Sequence, residues 1–235
     1  MILTGVIVNT IAIVVGAILG QVFSNLKQEM KETILKAIGI VIILLGLQMA
    51  FQVNEILIVL FSLALGGVLG EWLNIEQRLE SAGKWIERKA GKRLKGNVSQ
   101  AFVTTTLIYC IGAMAVVGSL DSGLRQEHDV LYTKAFLDGF TAIIFSSTLG
   151  IGVMFSAIPV FLYQGAIAFG ATFIQYVLSP ELIDKLIVDL TATGGILIVA
   201  IGLNMLEIVK IRIGNLLPAL LVSAILTLIY HYIQL

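Results

Sequence analysis

The sequence predicts an all-α polytopic membrane protein of about eight membrane segments, with two inverted three-helix repeats flanking a central helix pair. Three observations carry this. Hydrophobic residues make up 58% of the 235 and charged residues 13%, whereas a soluble globule is about half apolar and about a quarter charged. The apolar runs are roughly twenty residues long without strand-like alternation, so they are helices, which satisfy every backbone polar group inside lipid. Finally, Gly39 to Met49, GIVIILLGLQM, is written again as Gly195 to Met205, GILIVAIGLNM, with six of eleven positions identical and the two glycines seven apart in each. A fainter echo follows each copy, with Asn54 and Ser62 eight apart, as are Asn215 and Ser223. A duplication explains both.

The segments, in order, cover roughly 2–23, 34–52, 55–73, 101–120, 135–155, 157–178, 187–206 and 214–233. The first begins at Met1 with no basic residue before it and meets its first Lys only at position 27, the reverse of a cleavable signal peptide. Segments five and six form one apolar run that must turn between Gly150 and Pro159, where Gly, Ser and Pro give the backbone freedom. With both termini outside, twelve of the fifteen Lys and Arg fall in inner loops, leaving Arg125, Lys134 and Lys185 outside. Basic residues stay on the cytoplasmic side, so this N-out, C-out topology is the expected one. Segments one to three then pair with six to eight across five segments, which makes the repeats, about 2–73 and 157–233, inverted. That architecture is common among secondary transporters, with sites near the midplane; its bland counterpart is an old duplication kept for packing.

Between segments three and four, residues 74–100 carry seven basic and three acidic side chains. Ile75, Leu79, Ala82, Ile86, Ala90 and Leu94 draw one apolar stripe, with Trp85 beside it. A basic amphipathic helix of this kind lies on the anionic inner leaflet or packs on a neighbouring subunit. It lacks the interleaved aromatic and basic residues of a nucleic-acid binder. Gly16 with Gly20 and Gly66 with Gly70 form two GxxxG patterns for close helix contact, within the chain or in a homo-oligomer.

Ionisable groups in hydrocarbon mark function by default. Here Glu71 and Glu207 fall at inner helix ends, while Asp121 and Asp138 fall near outer ends. Lys134 and Asp138, four apart, can pair on one helical face, leaving Asp121 and Asp129 as an acidic vestibule for cations. The helices carry amides instead: Asn9, Gln48, Gln164 and Asn204, with Asn54 and Asn215 at the starts of segments three and eight, where capping is the simpler role. Asn9 and Gln164 each lie about eight residues into their segments and nearly correspond under the repeat. They form the candidate midplane site for a small neutral solute or a cation, against the alternative of interhelical hydrogen bonding. Segments four and five are rich in Gly, Ser and Thr, which permits broken helices.

GVIVNTIAIVVGAILG at 5–20, GAMAVVGSL at 112–120, LDGFTA at 137–142, GIGVMFS at 150–156, YQG at 163–165 and GLNML at 202–206 resemble the YdfK/YqgA type of bacterial inner-membrane protein, grouped as domain of unknown function 554. The resemblance covers almost the whole chain and implies a multi-span protein of the bacterial cytoplasmic membrane without supplying a substrate. Arg125, Gln126 and Glu127 depart from the pattern, which has a glycine-containing turn before Asp129. Function is therefore expected as a small-solute or ion transporter or channel; the rival is a non-transporting scaffold, sensor or subunit. No enzyme is expected, since Ser/His/Asp, HExxH and GxxxxGK[ST] patterns are missing. No cofactor or metal is expected either, with one cysteine, Cys110, and two distant histidines, His128 and His231.

Overall fold

Six helices of the computed structural model are long and apolar enough to cross a membrane: 4–22, 29–50, 56–73, 151–177, 180–205 and 213–233. Residues 1–23, 27–90 and 98–234 are described. The elements are α1 (Thr4–Val22), α2 (Gln28–Ala50), α3 (Ile56–Leu73), α4 (Ile75–Ala90), α5 (Val98–Cys110), α6 (Ala113–Leu124), α7 (Asp129–Leu149), α8 (Ala157–Val177), α9 (Pro180–Met205) and α10 (Pro218–Gln234). Short 3-10 turns at Ile151–Ser156 and Ile213–Leu216 precede α8 and α10. The described residues contain no strand.

Three of the departures from the expected segments have clear physical reasons. The fourth segment is not one rod: α5 and α6 meet at 62°, where Gly112 takes φ +134°, a value that favours glycine. The fifth begins at Asp129 rather than 135, because Lys134 and Asp138 neutralise each other and the helix runs straight through the charges that end an apolar window. Lys134 is thus a buried helical residue and not part of an outer loop. The seventh likewise begins earlier, at Pro180, with Ser179 Oγ accepting from Leu182 N–H at 3.3 Å and Pro180 in the first turn. The turn expected between 150 and 159 is present, with Gly150 at φ +103° before the 3-10 segment.

The chain forms two compact units. The first comprises 1–35, 80–110 and 114–174. Lipid is as apolar as leucine, so helices there gain little from hydrophobic burial and associate through close packing instead. Gly16 packs on the Gly139 carbonyl and Gly20 on that of Ile143, so α1 and α7 run parallel and their backbones touch. Polar groups fasten the same seam: Ser146 Oγ donates to Ala17 O at 2.6 Å, and Gln21 Nε2 donates to Ser146 O at 2.9 Å. Leu3 lies by Gly165, while Thr10 and Val14 share an open apolar groove of about 430 Å³ with Phe155 and Ala157. Accordingly α8 runs antiparallel to α1. The bent pair follows α8 in the same direction, Val98 lying against Gly152 and Gly123 against Ala168.

The second unit comprises 36–79, 111–113 and 175–235. Here α2 meets α9 by glycine on glycine. A Cβ on Gly46 would sit 2.7 Å from Gly195 O and one on Gly195 2.6 Å from Gly46 O; Gly39 and Gly202 oppose each other in the same reciprocal way. Helix α3 crosses α10 antiparallel, Gly66 against Ala219 and Gly70 against Asn215. Both GxxxG patterns therefore serve packing within the chain. On its other side α2 exposes Ile40, Val41, Leu44 and Leu45, the apolar surface that a bilayer covers.

Helix α4 is strongly amphipathic. Asn74, at φ +51°, turns the chain sharply out of α3 into it. Of the predicted stripe, Ile75 and Leu79 are half-buried, Ala82 is exposed, and the close contact is made by Gly83 on Ser99. The side chains of Ile86 and Ala90, and residue Leu94, lie outside the described residues.

Candidate functional site

The first unit holds a polar cluster assembled from three helices. On α7, one turn apart, Lys134 Nζ donates to Asp138 Oδ2 at 2.5 Å. From α1, Asn9 Nδ2 donates to the same carboxylate oxygen at 3.1 Å and to Gln164 Oε1 of α8 at 3.2 Å. Asn9 and Gln164 are fully buried, and Lys134 and Asp138 are each only 6% exposed. A fourth helix closes the cluster. On α5, the buried Tyr109 ring lies under the Lys134 ammonium, 5.9 Å from Nζ to centroid, within cation–π range. Thr141, three residues after Asp138 on α7, donates through Oγ1 to Tyr109 Oη at 3.4 Å.

Each position follows from local sequence. The i, i+4 spacing puts Lys134 and Asp138 on one face of α7. The glycine seam between α1 and α7 brings Asn9 close enough to reach that face, and the antiparallel α8 supplies Gln164 from the other side. Two atoms of the cluster have no hydrogen-bond partner, Asn9 Oδ1 and Gln164 Nε2. One accepts and the other donates, so the pair is equipped for a group carrying both a donor and an acceptor.

Three of the six predicted site residues come together here: Asn9, Gln164 and Asp138. The sequence reading sets Asp138 near an outer helix end, but it is the tenth residue of α7 and buried. Two members of the cluster are not among the predicted six. Lys134 carried a signal in its i, i+4 spacing, read only as pairing with the aspartate, and Tyr109 carried none, one aromatic among many on an apolar helix. The other three predicted residues lie elsewhere. Asp121 pairs with Arg125 at 3.7 Å, which neutralises one half of the predicted acidic vestibule; Asp129 is exposed in the first turn of α7. Gln48 is exposed on α2. Asn204 brackets a backbone, donating to Ile211 O at 2.7 Å and accepting from Ile211 N–H at 2.8 Å, and so pins the 206–212 loop to the end of α9.

The two expected caps also differ. The residue capping α3 is Glu55, without a side-chain cap bond, and Asn54 is exposed. Asn215 does cap a helix, but it is α4: its Oδ1 accepts from Glu76 N–H at 2.7 Å, and Glu76 Oε2 in return accepts from Gly214 N–H at 2.6 Å. In the departing loop, Gln126 holds φ +57°, the left-handed conformation a glycine adopts freely.

Over residues 4–228 the chain matches the family described as Protein of unknown function (DUF554). It is 32% identical over 232 residues to Uncharacterized membrane protein YdfK of Bacillus subtilis (strain 168), covering 97% of this chain and 96% of that protein. It is also 26% identical over 224 residues to Uncharacterized protein YqgA of Escherichia coli (strain K12), covering 93% and 94%. No solved structure matches. With a family match over nearly its whole length and a relative above 30% identity, the chain belongs to the DUF554 family.

Proposed function

We propose that the protein carries a small polar solute or an ion across the bacterial cytoplasmic membrane, using the cluster of Asn9, Lys134, Asp138 and Gln164. The observation that carries this is the cluster itself: a buried ion pair and two amides on apolar helices, with an acceptor and a donor left over. Ionisable groups at such positions are costly and mark pathways or binding sites by default. Because Lys134 already balances Asp138, the leftover amide atoms suit a neutral solute better than a bare cation.

The inverted-repeat reading adds support. A two-fold axis mapping Gly39 onto Gly195 and Gly46 onto Gly202 exchanges the two contacts Gly39 with Gly202 and Gly46 with Gly195, and both contacts are made. Asn9 and Gln164 occupy corresponding helices and bond to each other. Counting the bent pair as one broken span and α7 as another gives eight crossings, in keeping with termini outside and α4 on the inner surface. Transporters built this way bind at the repeat interface. A homo-oligomer is part of the proposal.

Purified protein in liposomes, screened for ion and solute flux, tests the reading. The wild type is expected to support flux of at least one small polar solute or ion. The double variant Asn9→Leu with Gln164→Leu is expected to elute as a monodisperse species yet carry none. Undiminished flux in that variant would remove the cluster from the pathway and favour a scaffold role.

A further inference from the structure

The second unit contains a different polar cavity, of about 110 Å³, walled by the start of α3, the first turns of α9 and the last turns of α10. Asp189 of α9 is 4% exposed. Its Oδ2 accepts from Thr227 Oγ1 at 2.7 Å, while Oδ1 has no hydrogen-bond partner. Glu55 lies on the same wall and accepts from Tyr230 Oη at 3.2 Å. Lys185 also lines the cavity, within 3.5 Å of His231 Nδ1, and pairs with Glu181 at 2.9 Å.

We infer that this cavity is a cation site for an alkali-metal ion, with Asp189 as its anionic ligand and Glu55 as the second carboxylate. The second, independent observation beside the carboxylate pair is the buried oxygen of Asp189 that no protein group satisfies. Burying a carboxylate without full hydrogen bonding is expensive, and a hard cation is the partner that oxygen ligands fit. The lining favours a monovalent ion. Asp189 and Glu55 are its two carboxylates, and the neighbouring Lys185 ammonium, itself paired with Glu181, offsets part of their charge. A calcium ion, which takes six to eight oxygens with several carboxylates among them, is poorly matched to a wall that includes an ammonium group. The neutral oxygens of Thr227 and Tyr230 complete a set in which the ion keeps part of its water. This assignment does not rest on the cluster of the first unit.

The test is thermal unfolding of the purified full chain in detergent, in NaCl, KCl or N-methylglucamine chloride at one ionic strength. Na⁺ or K⁺ is expected to raise the midpoint saturably, by about 5–10 °C at a hundred-fold excess over half-saturation. The shift should vanish in Asp189→Asn and survive in Asn9→Leu. In Glu55→Gln, a half-buried change that keeps an acceptor for Tyr230, half-saturation should move about ten-fold higher or more; this variant decides the matter if Asp189→Asn does not fold. An equal midpoint in all three salts, or an unchanged shift in the Glu55 and Asp189 variants, would overturn the assignment.

Discussion

Replacing Asp138 with asparagine isolates what the buried ion pair does. At 2.5 Å, the attraction between the two charges is about 7 kcal/mol at an effective dielectric constant of about 20. Removing each ion from water costs several kcal/mol, so the pair as a whole contributes little net stability. Breaking it is another matter. Asp138→Asn keeps the side chain's shape and an acceptor for Asn9 Nδ2, but leaves the Lys134 ammonium buried without a counter-charge, a loss of about 3–5 kcal/mol. For a chain of this size that lowers the unfolding midpoint by roughly 6–20 °C. Adding Lys134→Met removes the stranded charge and should restore most of the loss, while flux in liposomes stays abolished. A double variant as unstable as the single one would refute the ion-pair argument; a double variant with full flux would refute the charges' part in transport.

Two further outcomes follow from the packing. Gly16→Ala gains helix propensity of about 1 kcal/mol, yet its methyl would meet the Gly139 backbone and stand 3.1 Å from Ala142 Cβ, so a net loss of about 1–3 kcal/mol is expected in thermal unfolding. At Gly170 the added methyl meets only Ile174 Cδ1 at 3.8 Å, and the same change should stabilise; equal effects at the two sites would refute the seam. Asn215→Ala removes the cap on α4 and should cost about 1 kcal/mol, read as a lower unfolding midpoint, with no change refuting the capping role.

Much of the helical pattern is legible in the sequence because the membrane imposes a length and a composition on each span. Two of the places where the reading and the structure part share one cause. At Lys134 with Asp138, and at Lys185 and Asp189, charged residues interrupt the apolar window, but their pairing or burial lets the helix continue. A hydropathy reading weighs each residue alone and so ends the segment too soon. The break at Gly112 is legible only as a tendency, because glycine permits a positive φ without requiring one.

The amides divide along a similar line. Asn9 and Gln164 stand out in the sequence because they nearly match under the offset of the repeated phrase, and the structure joins them across two antiparallel helices. Asn204 and Asn215 correspond to Gln48 and Asn54 in the same way, yet the members of each pair do different things. Asn204 holds a loop and Asn215 caps α4, while Gln48 and Asn54 are exposed. Correspondence in sequence therefore says more about position than about role. The difference lies in the connections: the loop at 206–212 is longer than the turn at 51–55, and a polar side chain at a helix end takes whichever backbone its own connection presents. Amides inside a helix have no such local backbone to satisfy, so Asn9 turns to Gln164 and to Asp138, and that is why the proposed site lies there and not at the helix ends.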